Sequence, residues 1–361
     1  MSEQTSLDTL GMWEAVTSLP ERLSGALQVA GEAFGDTNAF GGNAGRGAGA
    51  GAFRSVAAFG LGTGGTACAA AAALTAPDLA VPFWFGTGSA VPAFVGPDTL
   101  VLAVSSSGRT AETLVAAEKA VERGATVVAV GGDAGGALAR LAGDAGLPWC
   151  PSRSGAAVMP ARSALGGTTV AVLVALARAG LRQDCSAAVT GASAALARRR
   201  DSLVAPGAAP ADLARRLGRT IPLVYGATGV AAVAAGWWKA QVNLNAKAPA
   251  FAAAVPQLTH EELAGWGQGG DVTRQTMSLV LLRLAGDGPR TAGLFDAVRA
   301  ATDEVMADIF EVHGEGDDEL SRFFDLTLFG ELVSLHLAAQ EGVDPGPVPA
   351  VDEAQAAALL Q

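Results

Sequence analysis

From residue 53 onward, short runs of small and β-branched apolar residues alternate with longer Ala-rich stretches of helical spacing, and that alternation leaves few folds open. The runs at 55–59, 80–85, 99–104 and 126–131 read as strands without a polar face, and 67–74, 111–123 and 136–142 read as the helices between them. A strand that is apolar on both sides must be covered on both sides, which calls for a parallel sheet between two layers of helix. The texture changes over 184–210, where Ala- and Arg-rich helical sequence gives way to Val204-Ala205-Pro206-Gly207-Ala208-Ala209-Pro210. The alternation then resumes with a strand at 221–225, a long helix at 230–246, an irregular Pro-containing stretch, a strand at 278–284, a helix at 292–306, a strand at 308–312 and a long helix near 320–339. The expected fold class is therefore α/β, with two tandem doubly wound parallel-sheet domains divided near Gln183, at 1–183 and 184–361. The first is expected to open with a helix pair around 10–33 and a flexible Gly/Ala-rich loop at 35–51.

Composition narrows the partners. Hydrophobic residues make up 50% of the chain, yet they are broken up by glycine and charge, and no apolar span reaches membrane length. The polar start Met1-Ser2-Glu3-Gln4-Thr5 lacks the order of a signal peptide, so a cytoplasmic protein is expected. A net charge of −11, with Arg198-Arg199-Arg200 the one conspicuous basic run, argues against nucleic acid. Cys68, Cys150 and Cys185 form no CxxC pair and are expected to be buried small hydrophobes, with neither a disulfide framework nor a metal site.

The densest chemical signal is Ser105-Ser106-Ser107-Gly108-Arg109-Thr110, between a buried strand and an amphipathic helix. At such a junction the first helical N–H groups lack partners and the helix dipole is positive, so an anion is favoured; short hydroxyls add donors, and Gly108 lets the chain approach closely. A plain Ser/Thr-rich capping turn is the competing explanation. Gly60-Leu61-Gly62-Thr63-Gly64-Gly65 follows a strand and satisfies G-x-G-x-x-G, but the second strand ends at Phe85-Gly86-Thr87 with no acid to hold a ribose. The glycines are expected instead to bring backbone close to a phosphate or to pack helix on strand, and no cofactor is expected. Arg162, in Pro160-Ala161-Arg162-Ser163, starts a helix whose dipole its charge opposes unless an anion is near; a surface arginine is the alternative. His260 precedes Glu261 and Glu262 and suits proton transfer near neutral pH, or is simply exposed at a turn. His313 and His336 carry no motif and are expected to be structural.

Several of these segments resemble one family. Ser-x-Ser-Gly-x-Thr-x-Glu-Thr-Leu at 105–114 is similar to the phosphosugar-binding turn of SIS (sugar isomerase) domains. Pro160-Ala161-Arg162-Ser163-Ala164-Leu165-Gly166, then Lys239-Ala240-Gln241-Val242-Asn243-Leu244-Asn245-Ala246-Lys247-Ala248-Pro249-Ala250, then Pro256-Gln257-Leu258-Thr259-His260-Glu261-Glu262, resemble the bifunctional phosphoglucose/phosphomannose isomerases. Gly330-Glu331, Ser334 and Gly342-Val343-Asp344-Pro345 extend the likeness, and the chain looks like the branch sometimes labelled TobH-like. The resemblance implies two SIS-type domains, a sugar 6-phosphate ligand and a homodimer in which the histidine reaches the partner's site. It implies that Ser105, Ser107 and Thr110, with Gly62 and a serine shifted to Thr66, hold the phosphate, that Arg162 stabilises negative charge and that His260 opens the sugar ring. Two departures fall on the chemistry. The family's glutamate between two asparagines is Leu244, and a C-terminal lysine is Gln355. Aldose–ketose isomerisation needs a base that leucine cannot supply. Glu261, in place of the family's asparagine, is the candidate substitute. A weakened or altered isomerase, a non-catalytic phosphosugar-binding or regulatory protein, and a dehydrogenase using the glycine turn are the three functions carried forward.

Overall fold

The computed structural model describes residues 7–35, 40, 53–152 and 160–358. Most of the Gly/Ala-rich loop expected at 35–51, and the polar N-terminal residues, lie outside the described residues. In chain order the first elements are α1 (Met12–Thr17), α2 (Leu19–Phe34), β1 (Ser55–Phe59), α3 (Gly62–Thr75), β2 (Phe83–Gly86), β3 (Thr99–Val104), α4 (Ala111–Glu122), β4 (Thr126–Val130), α5 (Ala137–Ala145) and β5 (Trp149–Cys150). There follow α6 (Leu165–Arg178), α7 (Ser186–Leu203), α8 (Ala209–Leu217), β6 (Ile221–Ala227), α9 (Val230–Gln241), β7 (Phe251–Val255) and α10 (Gly270–Thr276). The chain closes with β8 (Met277–Leu284), α11 (Pro289–Thr302), β9 (Ile309–Gly314), α12 (Glu319–Gln340) and α13 (Pro349–Ala358).

The chain forms two compact units, each built around one parallel sheet. The first sheet has the order β2-β1-β3-β4-β5 and belongs to the unit comprising Ser18–Ala197 and Gly316–Phe324. Its central strand β3 is buried at all six positions, which is why no polar alternation marks it in sequence. The second sheet, β7-β6-β8-β9, belongs to the unit comprising Met1–Thr17, Arg198–Glu315 and Asp325–Gln361. There β9 does alternate, burying Phe310 and Val312 and exposing Glu311 and His313, as an edge strand can. All strand pairs in both sheets are parallel.

Several elements differ from the expected ones. Helix α3 starts at Gly62 rather than 67, because the glycines that weaken a helix are the ones that let this one pack tightly. The irregular stretch after 246 contains β7, an Ala-rich edge strand that pairing with β6 creates despite poor β-propensity. The long helix at 230–246 is α-helical only to Gln241 and ends in a π-turn, Val242–Ala246. The units divide at Arg198, inside α7, whereas the sequence texture changes near Gln183; each unit also takes chain segments from elsewhere, which no single cut reproduces. All three cysteines are buried and free, and burial pushes the Cys150 thiol up to about 12. Among the described residues no helix is long and apolar enough to cross a membrane.

Candidate functional site

In the first unit the chain leaves β1 for β2 on one side and then crosses to β3 on the other, so β1 and β3 flank a topological switch point. Parallel sheets hold ligands in the crevice beyond the C-terminal ends of such a strand pair. Two segments occupy it: residues 60–66 after β1, which lead into the first turn of α3, and the turn at 105–110 after β3.

In the second turn the expected phosphate-binding hydroxyls come together. Ser105 Oγ lies 2.8 Å from Thr110 Oγ1 and 3.4 Å from Ser107 Oγ. Ser107 Oγ accepts from the Arg109 backbone N–H at 3.3 Å, and Ser105 Oγ accepts from that of Thr110 at 3.4 Å. Gly108 has φ +66, and its Cα faces that of Gly132 so closely that a methyl would sit 2.9 Å away. Thr110 is the N-cap of α4, extended and making no side-chain capping bond, so its hydroxyl stays with the serines. The hydroxyls and the first N–H groups of α4 thus meet where a helix dipole is positive. Each such end contributes about 0.3–1 kcal/mol toward an anion, and each hydrogen bond to the charged group about 1.5–3 kcal/mol.

The glycine turn touches this cradle through backbone. A methyl on Gly64 would lie 2.6 Å from the Val104 carbonyl oxygen, and one on Gly60 2.9 Å from the same atom. Gly64 and Gly60 therefore pack the start of α3 against the end of β3, and Gly65 is spent against the Gly60 carbonyl at 2.8 Å. Gly62, at φ +53 with open space beside it, turns the chain into the helix. The Thr66 hydroxyl donates to the Gly62 carbonyl at 3.1 Å, inside the first turn of α3. With its glycines committed to packing and β2 ending at Gly86 without a carboxylate, the turn lacks what a dinucleotide's ribose requires.

Arg162 is half-buried in a 3₁₀ turn, Ala161–Ala164, that runs directly into α6. The start of α6 is tied to the hydroxyl turn: Ser106 Oγ lies 3.2 Å from Thr168 Oγ1, which donates to the Ala164 carbonyl at 2.8 Å. Ser106, the turn's inward serine, was not singled out in sequence. It locks the cradle to the helix that follows Arg162.

His260 and Glu261 belong to the other unit. His260 ends one 3₁₀ turn, Gln257–His260, and Glu261 precedes a second, Glu262–Gly265; both side chains are exposed. Glu262, also missed in sequence, accepts a hydrogen bond from the Tyr225 hydroxyl of β6. Leu244 is half-buried on the π-turn, a geometry that often marks a functional position. Around it a buried network joins the segments whose wording is shared with the family. Asn245 Nδ2 donates to Gln241 Oε1 at 3.1 Å and to Ser334 Oγ at 2.9 Å, and Trp237 Nε1 donates to Glu331 at 2.7 Å. Gln355 is exposed on α13. His313 is exposed on β9, 3.7 Å from Glu311; His336 is half-buried with its ring edge on Trp13, and burial lowers its pKa.

Comparison with known proteins bears on both units. Residues 55–148 match the SIS domain family, and residues 208–357 match the bacterial phospho-glucose isomerase C-terminal SIS domain. The bifunctional phosphoglucose/phosphomannose isomerase of Caldicellulosiruptor bescii is 30% identical over 266 residues, covering 73% of this chain and 77% of its own. The protein of the same name from Aquifex aeolicus is 29% identical over 262 residues, with the same coverage of 73% and 77%. Among solved structures, tagatose-6-phosphate ketose/aldose isomerase from Escherichia coli superposes with a TM-score of 0.67 at 15% identity, over 93% of this chain and 95% of that one, which shows a shared fold.

Proposed function

The chain belongs to the bifunctional phosphoglucose/phosphomannose isomerase family, and we propose that it binds hexose 6-phosphates with its aldose–ketose isomerisation curtailed. The convergence of Ser105, Ser107 and Thr110 hydroxyls at the N-terminus of α4 carries this reading. The 6-phosphate is held there, with the first turn of α3 at Gly62 and Thr66 beside it. Arg162 balances negative charge on the substrate oxygens. His260 moves a proton from the anomeric hydroxyl to the ring oxygen as the bond between C1 and that oxygen breaks. The open-chain sugar then needs a base to take the proton at C2 and return it at C1 through an enediolate. Leu244 offers none, and Gln355 supplies no cation to steady the intermediate. Glu261 is the carboxylate available beside His260. The site is completed in a homodimer, His260 of one subunit serving the partner's turn, and the protein acts in the cytoplasm. A second reading, a phosphosugar-binding regulator without turnover, is favoured by Leu244 and Gln355 together.

Thermal denaturation tests the binding. Millimolar glucose, mannose or fructose 6-phosphate is expected to raise Tm, since a ligand at about 100 times its Kd stabilises by about 2.7 kcal/mol. Ser107→Ala with Thr110→Val is expected to abolish that shift. A wild-type protein indifferent to every hexose and pentose phosphate would refute the reading.

A further inference from the structure

The turn that carries His260 is joined to its sheet by one buried phenol. Residues 256–266 run from the end of β7 through two 3₁₀ turns. Leu258 is buried, and Leu263 and Trp266 pack against the apolar core that contains Tyr225. Apart from these contacts the segment bonds chiefly to itself: Thr259 Oγ1 to the Pro256 carbonyl, the Glu261 N–H to that of Leu258, and the Ala264 N–H to that of Glu261. Among the described residues, the segment's side-chain hydrogen bonds to the sheet converge on Tyr225, whose hydroxyl donates to Glu262 and also pairs with the Trp266 side chain. Tyr225 is the chain's sole tyrosine and is 0% exposed. Burial, and then the Glu262 carboxylate, push its pKa well up, so the phenol remains a donor throughout the neutral range.

We propose that Tyr225 and Glu262 are positioning residues, pinning the turn so that His260, two residues before Glu262, is held out at a fixed point for ring opening. The inference rests on the role given to His260 above. If the turn moved away, Glu262 would find water but the buried phenol would lose its acceptor. Leaving a buried hydroxyl without its acceptor biases such an equilibrium by about tenfold to a hundredfold. His260 itself touches no other element by hydrogen bond or ion pair among the described residues, so its placement depends on what holds its neighbours. Glu262 acts through acceptance rather than charge, and an amide oxygen at the same position serves equally well.

Tyr225→Phe, Glu262→Ala and Glu262→Gln separate these possibilities, with two measurements on each. Hydrogen exchange of 256–266 is expected to quicken about tenfold or more in Tyr225→Phe and Glu262→Ala and to stay near wild type in Glu262→Gln. Conversion of α- to β-glucose 6-phosphate, followed at saturating and limiting substrate, is expected to lose kcat about tenfold in the first two, with KM within twofold and recovery in Glu262→Gln. Unchanged exchange in Tyr225→Phe overturns the pinning. Equal loss of kcat in Glu262→Gln and Glu262→Ala overturns the acceptor role, and loss through KM alone overturns positioning of His260. A wild-type protein that binds glucose 6-phosphate but opens no ring overturns the role of His260 itself, and exchange still decides whether the pair pins the turn.

Discussion

Gly64 has room for a hydrogen where any other residue would carry a carbon 2.6 Å from the Val104 carbonyl oxygen. The obstacle is backbone, so relief requires the start of α3 to draw away from the end of β3, the two elements whose turns meet at the cradle. Gly64→Ala is therefore expected to lower stability by about 1–3 kcal/mol, as overpacking does. It is also expected to weaken hexose 6-phosphate binding by parting the two turns. Gly62→Ala is the control: its φ of +53 strains a side chain, but open space surrounds it, and a cost of about 1 kcal/mol is expected. Thermal melts with and without ligand compare the two, and a Gly64→Ala protein that matches wild type would show that the close approach is dispensable. The same residue explains what sequence could and could not reveal at this scale. A glycine-rich turn after a strand is legible, but whether each glycine serves a ligand, a left-handed turn or a helix–strand contact depends on the facing carbonyl. That carbonyl lies in a different strand. The strand–turn–helix pattern made the 105–110 turn legible and the resemblance to SIS domains picked out Ser105, Ser107 and Thr110 within it, whereas the contact of Ser106 required knowledge of Thr168, far along the chain.

Among elements, the π-turn after α9 concentrates the question of activity. One extra residue in the turn from 242 to 246 places Leu244 half-buried, while Asn245 is buried and bonded to Gln241 and Ser334. The flanking asparagine is thus fixed from both sides, and Asn243 Nδ2 closes the turn on the Ala248 carbonyl at 2.8 Å. On the proposed reading that Leu244 stands where the family has a glutamate, this turn is a scaffold without its carboxylate. Leu244→Glu is expected to raise interconversion of glucose or mannose 6-phosphate with fructose 6-phosphate, toward the ~100- to 10,000-fold that a positioned base contributes. The gain falls short of that range if the new carboxylate holds its proton. A coupled assay of both variants checks this: family-like turnover in wild type, destroyed by Glu261→Gln, would put the base beside His260 instead. Strands β1, β3, β4 and β8 were readable from uninterrupted apolar runs, since burial on both faces leaves that signature. Strand β7 was not, because Ala252, Ala253 and Ala254 carry no strand preference and acquire it only from pairing with β6. Nor could helical spacing distinguish a π-turn from one more turn of α-helix.

For the whole molecule, the sequence conveyed two parallel sheets but not how the chain is shared between the units. The chain passes from one unit to the other after Thr17, Ala197, Glu315 and Phe324. Within the second unit the residues at these points are bonded to one another. Arg200 donates to the Thr17 carbonyl at 3.2 Å, Arg199 Nε to Asp325 at 3.0 Å, and the Glu315 N–H to Asp325 at 2.8 Å, while Arg199 also pairs with the Glu315 carboxylate at 3.0 Å. The Arg198-Arg199-Arg200 run, which in sequence marks only a basic patch, supplies the arginines that gather the four chain ends of this unit. Asp325 is 1% exposed, and its burial raises the carboxyl pKa even though the Glu315 N–H and Arg199 both oppose the shift. Removing Arg199 strands that carboxylate, and Arg199→Met is expected to cost on the order of 3 kcal/mol at neutral pH. The cost should depend on pH in a definite direction. An acid whose pKa is raised on folding binds a proton in the folded chain that the unfolded chain has released, so its contribution to stability falls as pH rises from the ordinary carboxylate range to the raised value. Without Arg199 that value rises further, and the window widens toward neutrality. The deficit of Arg199→Met relative to wild type, measured by denaturant unfolding, is therefore expected to shrink as pH is lowered from the mildly alkaline range toward the ordinary carboxylate range and Asp325 takes up its proton. A deficit that is the same at both ends would place the loss in the packing of the arginine stem rather than in the stranded carboxylate.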